Sequence, residues 1–248
     1  MAKRYVFVAK SSYPYYEVVD VEFEYYKGFA VSQKQKSIRA LHESYKKIYP
    51  WSSVLEISTK GLDAIGVALS AFNLQIPYEN RMISVECAFQ GSKKFEKGGP
   101  YFDLYDVSSW EAKKDLRLKE SGAIEEFVFN GENFENEPKD YFYNWIYIKA
   151  LYGNTKYLKY LEKYSAFTDI EFNPKKSVNC QAKACAIAKG LLSAGLLVQC
   201  MADKEQFREE VYGNINAAYK QMSLVDLMIT DMEDTKNADA NEYSLLSS

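Results

Sequence analysis

The chain is poor in histidine, and His42 is the only one among its 248 residues. His42 lies in a lysine-rich amphipathic segment, where we expect it to be at the surface or half-buried. A single imidazole excludes every histidine-based catalytic triad and most metal sites. The four cysteines form no CxxC pair, so they offer no recognisable metal motif either. We therefore predict no metal and no other cofactor.

Several signature motifs are missing as well. The sequence has no GxxxxGK[ST] loop and no GxGxxG after a predicted strand. This absence argues against the folds that bind nucleoside triphosphates or dinucleotides through these loops. It has no signal peptide and no apolar run long enough to span a bilayer, which predicts a cytoplasmic protein. The formal net charge of -3 argues against binding nucleic acid through bulk charge, so such binding needs a local patch. Catalysis, if present, must then come from carboxylates and lysine.

What is present is a composition suited to a large core, with 47% hydrophobic and 15% aromatic residues. Runs rich in valine, phenylalanine and tyrosine predict strands, and apolar residues at helical spacing predict helices. The predicted strands are 4–9, 17–25, 54–58, 127–129 and 167–172. The predicted helices are 32–48, 109–117, 138–151, 156–164 and 179–199, with another beyond residue 203, whereas 61–72 fits either structure. Residues 231–248 are acidic and polar, and we expect them to be disordered.

The most informative stretch is SVECAFQGSKK, residues 84–94. If it is helical, Glu86, Phe89, Gln90 and Lys93 follow the i, i+3, i+4, i+7 spacing and share one face. An acid, an aromatic ring, an amide and an amine on one face are typical of a pocket wall. The Cα atoms of Glu86 and Lys93 would lie roughly 10 Å apart, a gap that two flexible side chains can close. An ordinary amphipathic helix with its charged residues in water fits the same spacing.

The amino end of the predicted helix 179–199 is a second candidate binding point. Ser177 and Asn179 lie there, beside backbone N–H groups that have no partner within the helix. Such an end can hold a phosphate or a ribose hydroxyl. The many alanines farther along favour close packing and a place in the core.

Several spaced fragments resemble the NADAR family, in that family's order. The fragments LSAFN at 69–73, SVE at 84–86 with the following FQ and Lys93, and AKK at 112–114 with Arg117 match its SNF-like, VEHxFQxxK and AKxxGR-like elements. Farther on, KAL at 149–151 and DIE at 169–171 look like its later helical and acidic elements. The resemblance covers about residues 50–200, and the order of the motifs makes it more specific than any one of them.

The resemblance implies an α+β fold, a predominantly helical single domain with a small β-sheet of the NADAR/YbiA-like type, over residues 1–230. The chain departs from the family pattern at three places. Cys87 stands where the family usually has histidine, Leu116 stands where it has glycine, and the tryptophan-glycine element expected after Glu171 is absent.

The NADAR family includes two activities, and both cleave a bond between ribose C1 and nitrogen. One acts on phosphorylated intermediates of riboflavin synthesis, and the other removes ADP-ribose from guanine bases. The stretches GF at 28–29, SQKQKS at 32–37, EIS at 56–58 and FNPKKS at 172–177 most resemble the NADAR antitoxins paired with guanine-modifying DarT toxins. The resemblance therefore implies a hydrolase that removes ADP-ribose from guanine in single-stranded DNA or RNA, as the antitoxin of a DarT-type ADP-ribosyltransferase toxin.

Two alternative functions remain open. The chain could instead be an N-glycosidase of phosphorylated riboflavin intermediates. It could also be a non-catalytic module that binds ADP-ribose or neutralises the toxin by contact.

The resemblance places the reaction at Glu86 and Lys93. We expect Glu86 to give a proton to the leaving base or the ring oxygen. We expect Lys93 either to form a Schiff base with the opened sugar or to place positive charge against a phosphate or ring oxygen.

Substrate contacts are expected from residues near this centre, each with a plainer structural alternative such as core packing or a solvated surface. Phe72 and Phe89 would stack on a base, Asn73 and Gln90 would bond the ribose, and Lys113 and Arg117 would bind the diphosphate. Asp169 and Glu171, on one side of a predicted strand, would orient a ribose or a water. Ser58, Ser70 and Asn179 complete the predicted set.

Overall fold

Three β-sheets and a series of mostly short helices make up residues 1–213, the part of the chain that the computed structural model describes. The strands are β1 (Ala2–Ala9), β2 (Tyr16–Phe23), β3 (Val54–Glu56), β4 (Gln75–Tyr78), β5 (Arg81–Ser84), β6 (Lys93–Phe95), β7 (Ile124–Phe129), β8 (Glu132–Glu135) and β9 (Ala166–Thr168). The α-helices are α1 (Val31–Ile48), α2 (Ala64–Ala68), α3 (Val85–Gly91), α4 (Ser109–Lys114), α5 (Arg117–Glu120), α6 (Tyr141–Tyr152), α7 (Thr155–Leu161), α8 (Gln181–Ser193), α9 (Leu197–Ala202) and α10 (Lys204–Arg208). A 3₁₀-helix spans Phe102–Asp106, and a π-helical turn spans Glu209–Gly213. The predicted α+β class is confirmed.

The largest sheet has the strand order β2-β1-β9-β3, in which β3 and β9 are parallel and the other neighbours antiparallel. Side chains alternate across a strand. Val6 on β1 therefore packs with Ile38 and Leu41 of α1 on one face, while Phe7 packs in the main core with Ile187 of α8 on the other. Burial on both faces fixes the register, because a slip of one residue would exchange the two sets.

Helix α6 forms the centre of the core and is apolar on all sides, as expected of a buried helix. Its Phe142 ring stacks on Phe127 of β7, with ring centroids 4.6 Å apart. The Phe89 ring of α3 stacks on Phe127 in turn, at 5.5 Å. These three rings join α3 to the second sheet, of strand order β6-β7-β8, and so fix the helix that carries Glu86.

Two predicted helix starts are wrong by one residue. Helix α1 begins at Val31 after Ala30, without a side-chain cap, so Ser32 is not its cap. Helix α4 is capped by Ser108 rather than Ser109, because Ser108 and Glu111 form a capping box. Arg117 lies outside α4, at the start of α5.

Several predicted elements are shorter in the structure, among them the strands predicted over 17–25 and 54–58, which end at Phe23 and Glu56, and the helix predicted over 156–164, which ends at Leu161. Two further predictions differ more. The strand predicted over 167–172 ends at Thr168, so Asp169 and Glu171 lie in the loop that follows it. The helix predicted over 179–199 is divided into α8 and α9 near Gly195, whose φ of 75° ends α8 in the way glycine commonly does. The segment predicted to be disordered, 231–248, lies outside the described residues.

Gly190 marks a close approach between α8 and the connection from β1 to β2. A Cβ atom at this position would collide with the backbone oxygens of Lys10 and Tyr15. We expect Gly190→Ala to lower the free energy of unfolding by about 1–3 kcal/mol, because rigid backbone must move to admit the methyl group. Urea unfolding followed by circular dichroism measures the change.

Gly153→Ala is the matched control for this test. Gly153 has φ -64°, and a Cβ there would meet only ordinary contacts, the nearest at 3.6 Å. Alanine should leave stability unchanged or raise it by about 0.4–1 kcal/mol. Equal unfolding midpoints for Gly190→Ala and the wild type would contradict the close approach.

Candidate functional site

A cavity of about 660 Å³ lies between α3, α4, the loop after β9 and the start of α8. All the predicted site residues line it except Asn73 and Arg117. Residues that the sequence did not single out also line it, among them Trp110, Lys60, Lys176, Tyr143 and Gln181.

Three side chains form a hydrogen-bonded row along one wall of the cavity. The Gln90 Nε2 group donates to Glu86 Oε1 over 2.8 Å, and Lys93 Nζ donates to Gln90 Oε1 over 2.6 Å. Glu86 lies in the first turn of α3, where Ser84 caps the helix by accepting from the Cys87 N–H. The prediction that Lys93 lies on the same helix is wrong, because α3 ends at Gly91. Lys93 is the first residue of β6, and its side chain extends back to Gln90. The amide of Gln90 therefore holds the acid and the amine at either end of one short row.

Burial lowers the pKa of the Lys93 amine to about 8, a shift that Lys113 assists and that the negative charge of Glu86 opposes. The Lys93 Nζ lies 4.6 Å from the centroid of the Phe89 ring, an apolar neighbour. Lys113 Nζ lies 3.6 Å from Glu86 Oε1, at the more exposed side of the cavity. At pH 7 roughly a tenth of an amine with this pKa is neutral, against fewer than about one in a thousand for an ordinary lysine. Lys93 is thus suited to act as a nucleophile.

This shift of the Lys93 pKa can be tested without a substrate. Only a neutral amine is acylated, so labelling by acetic anhydride should rise with pH along a curve with its midpoint near 8 at Lys93. The adjacent Lys94 is the internal reference, because its hydrogen bond to Glu126 raises its pKa above the usual 10.5. Peptide mass spectrometry measures both sites in one sample. A Lys93 midpoint close to that of Lys94 would contradict the assignment.

A pair of buried acids lies at another part of the wall, where Asp169 lines the cavity and Glu56 lies next to it, outside the lining. Glu56 accepts from the Thr168 hydroxyl over 2.6 Å and from the Ile170 N–H over 2.8 Å. Burial raises the pKa of Glu56. Burial and the neighbouring Glu56 raise the pKa of Asp169, which lines the cavity, to about 8. The raised pKa favours the protonated carboxyl of Asp169, the form that can donate a hydrogen bond to a ligand.

His42 supports this pair from outside the cavity. Its Nε2 lies 2.8 Å from Thr168 Oγ1. Because the Thr168 proton goes to Glu56, Thr168 accepts here, and Nε2 carries the hydrogen. Burial lowers the pKa of His42 to about 4, so the ring is neutral. The single histidine thus fixes Thr168 from outside the cavity, and it is half-buried, one of the two positions that the sequence predicted for it.

Two polar atoms in the cavity wall have no hydrogen-bond partner among residues 1–213. These are Ser70 Oγ and Asn179 Oδ1, both buried atoms. A buried polar atom without a partner costs about 1–3 kcal/mol, and a hydroxyl or amide of a ligand would satisfy it. The neighbouring Gln181 is already engaged, since it accepts from the Ala71 N–H over 2.8 Å and donates to the Ile57 carbonyl.

Asn73 and Arg117 lie away from the cavity. Asn73 is exposed, and its amide donates to the Val67 carbonyl over 2.9 Å. The Arg117 guanidinium is bound to Asp103 over 2.6 Å and to Asp115 over 2.9 Å. These acidic partners occupy the guanidinium donors that a diphosphate would need. We therefore propose neither Asn73 nor Arg117 as a ligand-binding residue of this cavity.

The described residues contain no group of three or more histidine, cysteine, aspartate or glutamate side chains arranged to hold a metal ion. None of the helices found between residues 1 and 213 has the length and apolar character needed to cross a membrane.

Comparison with known proteins identifies the family. No curated protein matches the chain. The sequence profile described as DarT1-associated NADAR antitoxin matches residues 2–221, which is most of the chain. The protein therefore belongs to the family of DarT1-associated NADAR antitoxins.

Proposed function

We propose that the protein removes ADP-ribose from guanine bases in single-stranded nucleic acid and so reverses the modification made by its DarT partner. The observation that carries the proposal is the Lys93 amine, with its pKa lowered to about 8, joined through Gln90 to the buried Glu86 in the cavity. Membership of the antitoxin family supports the toxin as the partner. The chemistry of the site supports cleavage of the bond between ribose C1 and nitrogen.

The first half of the reaction opens the sugar. In the modified base, C1 of the ribose carries both the ring oxygen and the exocyclic guanine nitrogen. The reacting form of the pair has the proton on Glu86 and a neutral Lys93, which is the same number of protons as the carboxylate with the ammonium. Glu86 donates this proton to the ring oxygen, the C1–O bond breaks, and the nitrogen lone pair forms a C1=N iminium. The neutral Lys93 amine then attacks C1. A proton passes from Lys93 Nζ to the guanine nitrogen, which leaves as the restored amine, and a protonated Schiff base remains on Lys93.

The second half releases the sugar. Water adds to C1 of the Schiff base and gives a proton back to the Glu86 carboxylate. The C1–Nζ bond then breaks as the new hydroxyl proton passes to nitrogen, which yields ADP-ribose and neutral Lys93. The balance is one water consumed for each guanine restored. In the competing route, water attacks an oxocarbenium ion directly, and Lys93 contributes only its charge.

Other cavity residues are suited to hold the ADP-ribose. Lys113 lies beside Glu86, and Lys60 and Lys176 also line the cavity, so their ammonium groups are placed to meet phosphate oxygens. Ser70 and Asn179 offer buried polar atoms that have no partner among residues 1–213. Hydroxyl groups of the ribose would satisfy them.

The direct test offers the wild-type protein a single-stranded oligonucleotide with one ADP-ribosylated guanine. Chromatography should show equal amounts of free ADP-ribose and restored oligonucleotide. A parallel sample contains a phosphorylated riboflavin intermediate, and turnover of that compound alone would favour the metabolic N-glycosidase. Rescue of cells from the toxin without any hydrolysis would instead establish the contact-binding module.

A further inference from the structure

Trp110 is an unusually exposed aromatic residue at the mouth of the cavity. Its side chain is 57% exposed, yet it lines the same cavity as Glu86 and Lys93. It lies on α4, and Lys113 and Lys114 follow it at i+3 and i+4, so the three side chains share one helix face. A large exposed aromatic beside cations has the composition of a surface on which nucleic-acid bases stack.

Helix α4 is held firmly against the reaction centre. The capping box of Ser108 and Glu111 closes its first turn. Ser109 Oγ donates to the Phe72 carbonyl over 2.9 Å and lies 2.7 Å from Ser84 Oγ, the cap of α3. Because α3 carries Glu86, Trp110 keeps a fixed position relative to the proton donor.

The rings and cations at this mouth form one surface. Trp110 meets the edge of Phe72 with the ring centroids 6.0 Å apart. Lys114 Nζ lies 4.2 Å from the Trp110 ring, and Lys113 Nζ lies 4.9 Å from the Phe72 ring. Exposed contacts of this kind contribute only about 0.5–1 kcal/mol. A base can therefore displace the Lys114 ammonium from the indole, and the freed ammonium can move to a phosphate.

Charge is distributed in the way a polynucleotide would require. Glu86 and Asp169 lie in the wall, and these residues are only 5% and 9% exposed. Lys113 and Lys176 are exposed at the outer part of the cavity. The exposed Glu171 is paired with Lys34 over 3.0 Å. A chain of net charge -3 thus has a local basic mouth, which a phosphate backbone would contact.

We infer that Trp110 is a stacking platform for a base next to the modified guanine, with Lys114 at the adjoining phosphate. The inference rests on the proposed function and assigns the surface by which the protein would distinguish a polynucleotide strand from a free modified nucleotide. The ADP-ribose enters the cavity, while the strand that bears it stays on α4. Stacking on an aromatic side chain contributes about 1–3 kcal/mol per base, so the strand should be much the better substrate.

The experiment compares two substrates, an ADP-ribosylated guanine within a single-stranded oligonucleotide and ADP-ribosylated guanosine monophosphate. The measured quantity is the ratio of their kcat/KM values, because any general damage to the site affects both. We expect the wild type to prefer the oligonucleotide, and Trp110→Ala to lower the ratio by about 5- to 150-fold. Trp110→Phe keeps an aromatic face and should retain most of the preference, whereas Trp110→Leu keeps only apolar bulk and should lose it.

Two controls separate stacking from other effects. Trp51 is 98% exposed and does not line this cavity, so Trp51→Ala should leave the ratio unchanged. Lys114→Ala should reduce the steepness of log kcat/KM against log salt concentration by about 0.7 for the oligonucleotide, as expected for one lost phosphate contact. An unchanged ratio in Trp110→Ala overturns the platform and leaves the proposed function intact. A wild type inert on both substrates overturns the proposed function itself.

Discussion

Lys93→Arg is expected to lower the release of ADP-ribose by at least about 1000-fold, as the loss of a catalytic nucleophile does. Arginine keeps the positive charge near Gln90 and Phe89, but its guanidinium stays protonated and cannot form a Schiff base. The variant therefore separates the two roles open to Lys93. If the amine is the nucleophile, activity disappears; if only its charge matters, arginine should retain much of the rate. The rate of a single turnover on the modified oligonucleotide measures the difference.

Lys94→Arg is the matched control for this variant. Lys94 is the next residue on β6, but its ammonium is bound to Glu126 over 2.6 Å and its side chain is 43% exposed. We expect its activity to equal that of the wild type. Borohydride added during turnover should also leave a reduced ADP-ribose adduct on Lys93 and none on Lys94. An active Lys93→Arg, or the absence of any adduct, would favour the route in which water attacks directly.

The elements with strong local patterns could be predicted from the sequence. Strands β1 and β2 follow from runs of valine, phenylalanine and tyrosine, and α1 from apolar residues at helical spacing that are buried as expected, including Ile38 and Leu41. The ends of helices and strands were less predictable, because the position at which an element begins or ends depends on one or two residues. Ser108 and Ser109 are both good caps by type, but only Ser108 is followed three residues later by a glutamate, so the capping-box spacing was a signal that could have identified it.

The proposed reaction centre, Glu86 and Lys93, shows the same limit of sequence-based prediction. The prediction joined Glu86 to Lys93 through one continuous helix, which the structure contradicts, since α3 ends at Gly91. A Cβ at Gly91 would collide with the ring of Tyr105, so close packing requires glycine there. A single glycine in a helical pattern does not by itself predict close packing of this kind or the end of the helix. The two side chains are nevertheless brought together, because β6 turns back and Lys93 reaches Gln90.

The acid pair behind the cavity could not be predicted from local patterns. Thr168 bonds to Glu56 from a position 112 residues away, and to His42 from 126 residues away. These contacts exist because β3 and β9 pair in parallel, Glu56 opposite Thr168. Pairing of strands so far apart in the sequence depends on the whole fold, and no residue spacing in the sequence predicts it. Trp110 was missed for a related reason, because its place at the cavity mouth depends on how α4 docks on α3.

Glu86→Gln is expected to lower the rate of ADP-ribose release by about 10²–10⁴-fold, the range for loss of a general acid. Glutamine has the same shape and can still bond Gln90, so the cavity should stay intact. The variant also removes a negative charge that raises the pKa of Lys93. The midpoint of Lys93 labelling should therefore move below 8, and the amine should be more often neutral at pH 7. Greater availability of the amine together with a slower reaction would assign the loss to proton transfer.

The comparison variant for Glu86 is Glu126→Gln. Glu126 binds Lys94 on the other side of β6, and it does not line the cavity. We expect its rate and its Lys93 labelling curve to match those of the wild type. The assignment of Glu86 as proton donor fails if Glu86→Gln changes only KM, since an ion-pair partner of Lys113 would alter binding and leave the chemical step intact. A rate lowered by about 10²–10⁴-fold with an unchanged KM, beside an unaffected Glu126→Gln, is the result that places proton donation at Glu86.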